Sequence, residues 1–385
     1  MPLGPKCLTF VVGPKTVAPF FRNRDDVFSQ PEVYGFMTQV FGKGVVYDAT
    51  PPKRKAQNVN MSRGLRADRL KSYVPKILRE TEAYFAEKWG ESGTADLLVT
   101  LSELTILTAS RCLHGDDVRE NLFAQVSEIY HDLDKGITPL SFFWPTAPVE
   151  GHRKRDAARL KMVELFGDVI KARRRQTPEQ AAARTDILQV FVDMVYKDGT
   201  KATDDKLAGE EQADVVGGAA APLVFDDLNK MALLHNCMKE ALRMHPPLIM
   251  LMRKAMRAVP IETDAGARYV IPKGDVVFAA PAIQGRLATC WTAPDAFDPD
   301  RYAPGREEHA MPFAHIGFGG GIHQCMGQQF GYCQVKTILS WLNRNYDMEI
   351  VSEFPEPDYT AMVVGPKGKP MVRYVRKAAA AAAAE

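Results

Sequence analysis

Apolar residues recur every three to four positions through much of the chain. The clearest run predicts a helix from about Val74 to Trp89, with Val74, Ile77, Leu78, Thr81, Tyr84 and Phe85 on one face. Ser72 suits its N-cap, Pro75 its first turn and Gly90 its exit. The same spacing predicts helices over 155–175, over 186–196 with Ile187, Leu188, Phe191 and Val195 inward, and over 226–245, where Pro246-Pro247 forces an end. A last helix, over 327–343, turns Phe330, Val335, Ile338, Leu339 and Leu342 to one side. In a few places the period shortens to two. "CLTFVVGPK" reads as a strand closed by Gly13-Pro14, and "ARYVIPKGDVVFAAP" as a hairpin about Pro272-Lys273-Gly274. No period runs through "GEEQADVVGGAAAP" (Gly209 to Pro222), which reads as loop. The pattern predicts a mainly α fold with small β-sheets.

Composition narrows the class without naming a chemistry. The 385 residues are 46% apolar and 25% charged, as ordinary globular chains are, and the net charge of +2 gives no electrostatic reason to seek nucleic acid. The basic run "KARRR" at 171–175 reads as a solvated helix end. Six scattered cysteines form no C-x-x-C pair and no disulfide framework, so free thiols are expected. No stretch is long and apolar enough to span a membrane, and "MPLGPKCLTFVV" lacks the layout of a signal peptide. A single domain over 1–376 is expected, followed by a low-complexity alanine tail at 377–385.

The chemistry concentrates in "FGGGIHQCMG" (Phe318 to Gly327), where three glycines lead to a lone cysteine ahead of a helix. A phosphate-cradling loop would need Lys-Ser or Lys-Thr after its last glycine, and neither is present. A zinc site could recruit His315, His323 and Cys325, but a structural zinc wants a fourth ligand. A haem thiolate fits better. Gly319, Gly320 and Gly321 would let the backbone approach a flat macrocycle, and Cys325 at the helix mouth would have its thiolate stabilised by unpaired N–H groups. Such a thiolate pushes electron density onto haem iron and favours O–O cleavage.

Phe318-x-x-Gly321-x-His323-x-Cys325-x-Gly327 resembles the cysteine-ligand loop of the cytochromes P450, with His323 where many members have Arg. Upstream, Glu240-Ala241-Leu242-Arg243 resembles the family's Glu-x-x-Arg helix, and "FDPDRY" (Phe297 to Tyr302) the meander whose arginine, Arg301, joins that pair. "VFGKGVVYDA" (Val40 to Ala49), "SELTILTASRCLHG" (Ser102 to Gly115) and "HDLDKGITPLSFFWP" (His131 to Pro145) resemble eukaryotic sterol 14α-demethylases. The resemblance implies haem b with Cys325 as axial ligand and His323 and Arg253 on its propionates. It also implies Tyr47 beside the haem edge and substrate channel, and Met362 in the sterol cavity. It further implies O2 as oxidant, NADPH electrons through a cytochrome P450 reductase, a sterol substrate, and the endoplasmic reticulum membrane as location, with peripheral contact where no anchor is present.

One family element has no counterpart. "YKDGTKATDDKLAG" (Tyr196 to Gly209) resembles the approach to the long central helix, and "EEQADVVGGAAAPLVFDDL" resembles the family segment on its far side. The chain therefore reads as a P450 with that helix missing at the junction 209–210. In the family that helix walls the distal face and carries the oxygen groove. The expected activity is therefore sterol 14α-demethylation, with an inactive haem-binding remnant as the alternative.

Overall fold

The computed structural model describes residues 2–3, 6–45, 47–193, 224–360 and 363–377. The junction at 209–210, the loop Gly209 to Pro222, Met362 and residues 378–385 of the alanine tail lie outside them. Two short strands, β1 (Pro2–Leu3) and β2 (Lys6–Val11), precede helix α1 (Pro14–Arg22) and strand β3 (Phe28–Ser29). The helical body comes next, with α2 (Pro51–Gly64), α3 (Ala67–Lys88), α4 (Leu97–Ala109), the short α5 (Pro139–Phe143), α6 (Glu150–Arg173) and α7 (Ile187–Val192); strand β4 (Ser92–Asp96) lies between α3 and α4.

Helix α3 begins seven residues before Val74. Leu70 and Tyr73 extend its buried face toward the N-terminus, and Pro75 lies inside the helix instead of opening it. The 226–245 segment divides at Met231 into α8 (Phe225–Lys230) and α9 (Ala232–Met244). A tertiary contact accompanies the break: the buried Lys336 ammonium donates to the Leu228 carbonyl oxygen at 2.6 Å. Helix α10 (Gln328–Asn345) packs on α3, with Phe330 edge-on to Tyr73 and Trp341 stacked on Phe85 at 5.1 Å.

The expected hairpin about Pro272-Lys273-Gly274 is not formed. Strand β7 (Arg268–Ile271) pairs with β6 (Val259–Glu262), whereas β8 (Val276–Ala279) lies parallel to β2 and antiparallel to β5 (Leu251–Ala255). Burial explains the parting: all four residues of β8 are buried, as a central strand requires, while β7 is exposed but for Ile271. The resulting sheet has the order β1-β2-β8-β5-β3. Near the C-terminus β9 (Tyr346–Ile350) and β12 (Met371–Arg376) form a second sheet with β4, and β10 (Pro357–Asp358) pairs with β11 (Gly365–Pro366). A large core between α3, α4, α6 and α10 is thus joined to a smaller one beneath α1 and the five-stranded sheet.

Candidate cofactor site

The cysteine loop lies where these two cores meet. Gly319 and Gly321 have φ of 71° and 67°, the left-handed region that glycine tolerates, and the Cys325 N–H donates to the Phe318 carbonyl oxygen at 2.9 Å to close the turn. A Cβ at Gly321 would overlap the carbonyl oxygen of Phe21, and one at Gly320 would press on the Phe21 ring. The glycine run is therefore constrained by close packing on α1, a demand made within the protein itself. Cys325 is exposed and precedes the first residue of α10, Gln328, by nearly a full turn, so it stands in the loop and not on the helix end. By contrast, burial pushes the Cys333 thiol up to about 12.

A polar cluster borders the loop. His323 does not stand free: its Nε2–H donates to Asp25 Oδ1 at 2.9 Å, and Asp25 is paired on its other oxygen with Arg54 of α2. Burial resists ionisation of Asp25, but the hydrogen bonds from His323 and Arg54 hold its carboxyl well below the usual carboxylate range. Burial pulls His323 below its ordinary value against the pull of Asp25, with Arg253 and Arg54 adding to the effect. Arg253, on β5, donates to the Phe20 carbonyl oxygen and lies over the Phe20 ring at 4.5 Å. Desolvation lowers it to about 10, partly offset by the charge of Asp25. Arg54 Nη1 is buried without a hydrogen-bond partner. Tyr47 stacks on Tyr34 at 5.3 Å, and burial raises its hydroxyl to about 12, with Tyr34 and Cys325 contributing.

Glu240, Arg243 and Arg301 come together behind the loop with side chains fully excluded from water. Arg243 grips Glu240 through two bonds of 2.7 and 2.8 Å, and Arg301 Nε reaches Glu240 Oε1 at 3.0 Å. Two further members join the network, Tyr302 at the end of the "FDPDRY" motif and Glu308 beyond it: the Tyr302 hydroxyl donates to Glu240 Oε2 at 3.1 Å, and Glu308 takes the far side of Arg301 at 2.8 Å. Burial opposes the charge on Glu240, yet its two arginines keep its pKa below the ordinary value. The zinc alternative finds no support. His315 donates to the Lys239 carbonyl oxygen at 3.1 Å, and among the described residues no group of three His, Cys, Asp or Glu side chains could hold a metal ion.

The whole arrangement superposes on the retinoic acid-bound cyanobacterial CYP120A1 with a TM-score of 0.82 at 19% identity, covering 97% of this chain and 90% of that one. In sequence, the Cytochrome P450 family profile matches residues 1–211 and 206–373. The chain belongs to the cytochrome P450 family. This P450 is 41% identical over 414 residues to the obtusifoliol 14-alpha demethylase of Sorghum bicolor, covering 98% of the chain and 83% of the relative. It is 41% identical over 409 residues to the sterol 14-demethylase of Arabidopsis thaliana, covering 97% and 83%. To the human lanosterol 14-alpha demethylase it is 35% identical over 410 residues, covering 97% and 78%.

Membership of the family implies haem, and the residues present suit it. A P450 haem carries two carboxylates, and this site offers a buried guanidinium nitrogen without a partner, on Arg54, and a second buried guanidinium, on Arg253, which donates to a backbone carbonyl oxygen. It also offers an exposed thiol on a turn held by Phe318. Asp25, Arg54 and Tyr34 are the members that the sequence motifs do not mark. Met362 falls outside the described residues.

Proposed function

We propose that this P450 is a haem-thiolate monooxygenase that removes the 14α-methyl group of a sterol precursor, with Cys325 as the axial ligand. The observation that carries it is the exposed Cys325 thiol set beside a cationic cradle, in a chain 41% identical to sterol demethylases of plants. Bound haem would supply oxygen activation, the thiolate pushing electron density to the iron. Arg253 and Arg54 would hold the propionates, with His323 beside them. Tyr47 and Phe318 would shape the pocket by excluding water, Gly321 by seating the loop on Phe21, and Gly327 by leaving room beside the Cys325 thiol. Met362 is proposed to line the sterol cavity. Removal of the methyl group as formate takes three oxygenations, each using O2 and two electrons from NADPH, delivered by a cytochrome P450 reductase. The test is the spectrum of the CO adduct of the reduced, haem-loaded chain. Wild type is expected to give the thiolate-type Soret band and Cys325→Ala to lose it; an unchanged band in the variant overturns the ligand assignment.

The alternative is that the 385-residue chain, lacking a central helix, binds haem without completing the reaction. The match to the family profile divides at residues 206–211, and the match to the Sorghum relative extends over 414 residues where this chain has 385. Both support a missing internal segment at 209–210. "GGAAAP" offers no hydroxyl or carboxylate to relay protons. Thr108, on α4, is engaged in packing bonds to Leu104 and Gln334. Insertion of a family-type helix between Gly209 and Glu210 should confer sterol demethylation on a chain that otherwise lacks it. Turnover by the uninserted chain with a reductase would overturn this reading.

Location is proposed from the surface. Among the described residues no helix is long and apolar enough to cross a membrane, but Phe143 and Trp144, at the end of α5, are 69% and 56% exposed beside an exposed Leu140. We assign these rings to peripheral contact with the endoplasmic reticulum membrane, where aromatic side chains favour the headgroup level. Co-sedimentation with neutral phospholipid vesicles should fall for Phe143→Ser/Trp144→Ser.

A further inference from the structure

Two observations at the cradle pull in opposite directions. Arg54 and Arg253 present buried cationic capacity only partly used among the described residues: Arg54 keeps Nη1 buried without a partner, and Arg253 donates to the Phe20 carbonyl oxygen and feels the charge of Asp25 without a direct ion pair. Yet Asp25 already occupies the other nitrogen of Arg54 and the Nε2–H of His323. Its carboxylate is 14% exposed, so water screens it weakly, and Arg54 beside it is 10% exposed. It is also tied locally, accepting the Gln30 N–H at 3.2 Å.

An internal carboxylate on a cation that a cofactor carboxylate also needs has two consequences of opposite sign. In the empty protein it satisfies buried donors whose desolvation would otherwise weigh against folding. In the loaded protein it would add a third negative charge to the two carboxylates of haem, beside Arg54 and Arg253. We propose that Asp25 is a resident stand-in for a haem carboxylate: it steadies the empty cradle by holding Arg54 and His323, and it opposes retention of the cofactor. This rests on the haem reading of the site. Asp25 acts through Arg54 and His323, and so is a positioning residue.

With haem bound, the same charge would bear on its reduction potential. Reduction adds one electron to the haem, so a nearby fixed anion disfavours the reduced form, and its removal raises the reduction potential.

The experiment compares wild type, D25N and R54Q in haem-free and haem-loaded form by three measurements: thermal melting of the empty chain, transfer of haem to excess apomyoglobin, and spectroelectrochemical potential. D25N is expected to melt at a lower temperature when empty, to lose haem severalfold more slowly and to have a higher potential. R54Q is expected to lose haem faster than wild type. A D25N chain that loses haem at the wild-type rate or faster shows that Asp25 is only a brace, and overturns the proposal; so does an unmoved potential. Should D25N not fold, the D25N/R54Q double variant replaces it. It must release haem more slowly than R54Q alone, and equal rates overturn the proposal. A wild-type chain with no thiolate-type CO spectrum overturns the haem reading and this proposal together, whereas a loaded wild type with a failing D25N overturns only the assignment of Asp25.

Discussion

Gly321 and Phe21 stand so close that a side chain on the first would occupy the carbonyl oxygen of the second. Gly321→Ala is therefore strained twice, by overlap and by a φ of 67°. It should lower stability by about 1–3 kcal/mol and weaken haem retention. Gly331 is the control, since it lies inside α10 with nothing within 4 Å of an added Cβ. Gly331→Ala should stabilise by about 0.5–1 kcal/mol. Thermal melts of the two variants check the pair, and equal shifts would refute the packing argument.

Arg243→Ala should strand Glu240 in a site without water and cost about 3–5 kcal/mol, abolishing haem incorporation. Tyr302→Phe removes a single bond to the same carboxylate and should cost about 1 kcal/mol with haem retained. Denaturant titration with haem occupancy measures both. Full occupancy in Arg243→Ala would show that the network is dispensable.

Asp264, 248 residues away in sequence, accepts from the Thr16 N–H and hydroxyl and so caps α1, whose own Gly13 has no side chain to do so. Burial resists its charge, but the bonds from Thr16 and Lys15 set its pKa below the ordinary 3.8. The stabilisation it provides is present above pH 3.8 and is lost as pH falls through the lower folded value. Asp264→Asn should lower stability by about 1 kcal/mol at neutral pH, with a gap to wild type that narrows in acid. A gap independent of pH would contradict a charged cap.

Thiol accessibility gives a direct map. Cys7 and Cys325 are exposed, whereas Cys112, Cys290 and Cys333 are buried. In the haem-free chain an alkylating reagent should modify Cys7 and Cys325 first, as peptide mass spectrometry would show. Haem loading should protect Cys325 alone.

The helical body is readable in sequence because its signal is local: periodicity places α3, α6 and α10, missing mainly at their ends. The hairpin about Lys273 misleads because β7 and β8 alternate alike, and only burial on both faces of β8 sends it to another sheet. At the site, residues carried by motifs, Cys325, His323, Glu240, Arg243 and Arg301, stand out in sequence. Asp25 and Arg54 do not, because an ordinary charged residue gains meaning there only from a partner far along the chain, and Glu308, though near Arg301, sits in no motif. The three glycines are visible, yet the reason for Gly321 is not, since Phe21 lies far upstream.

The bond from His323 to Asp25 spans 298 positions of sequence. At roughly 5–20 residues per second of synthesis, Asp25 leaves the ribosome about 15–60 s before its partner exists. Through that interval the glycine loop is not there for α1 to pack against, and the nascent chain has no Cys325 thiol to capture haem. Cofactor loading through the Cys325 thiol is thus confined to the end of translation, after the sheet beneath α1 has already been made.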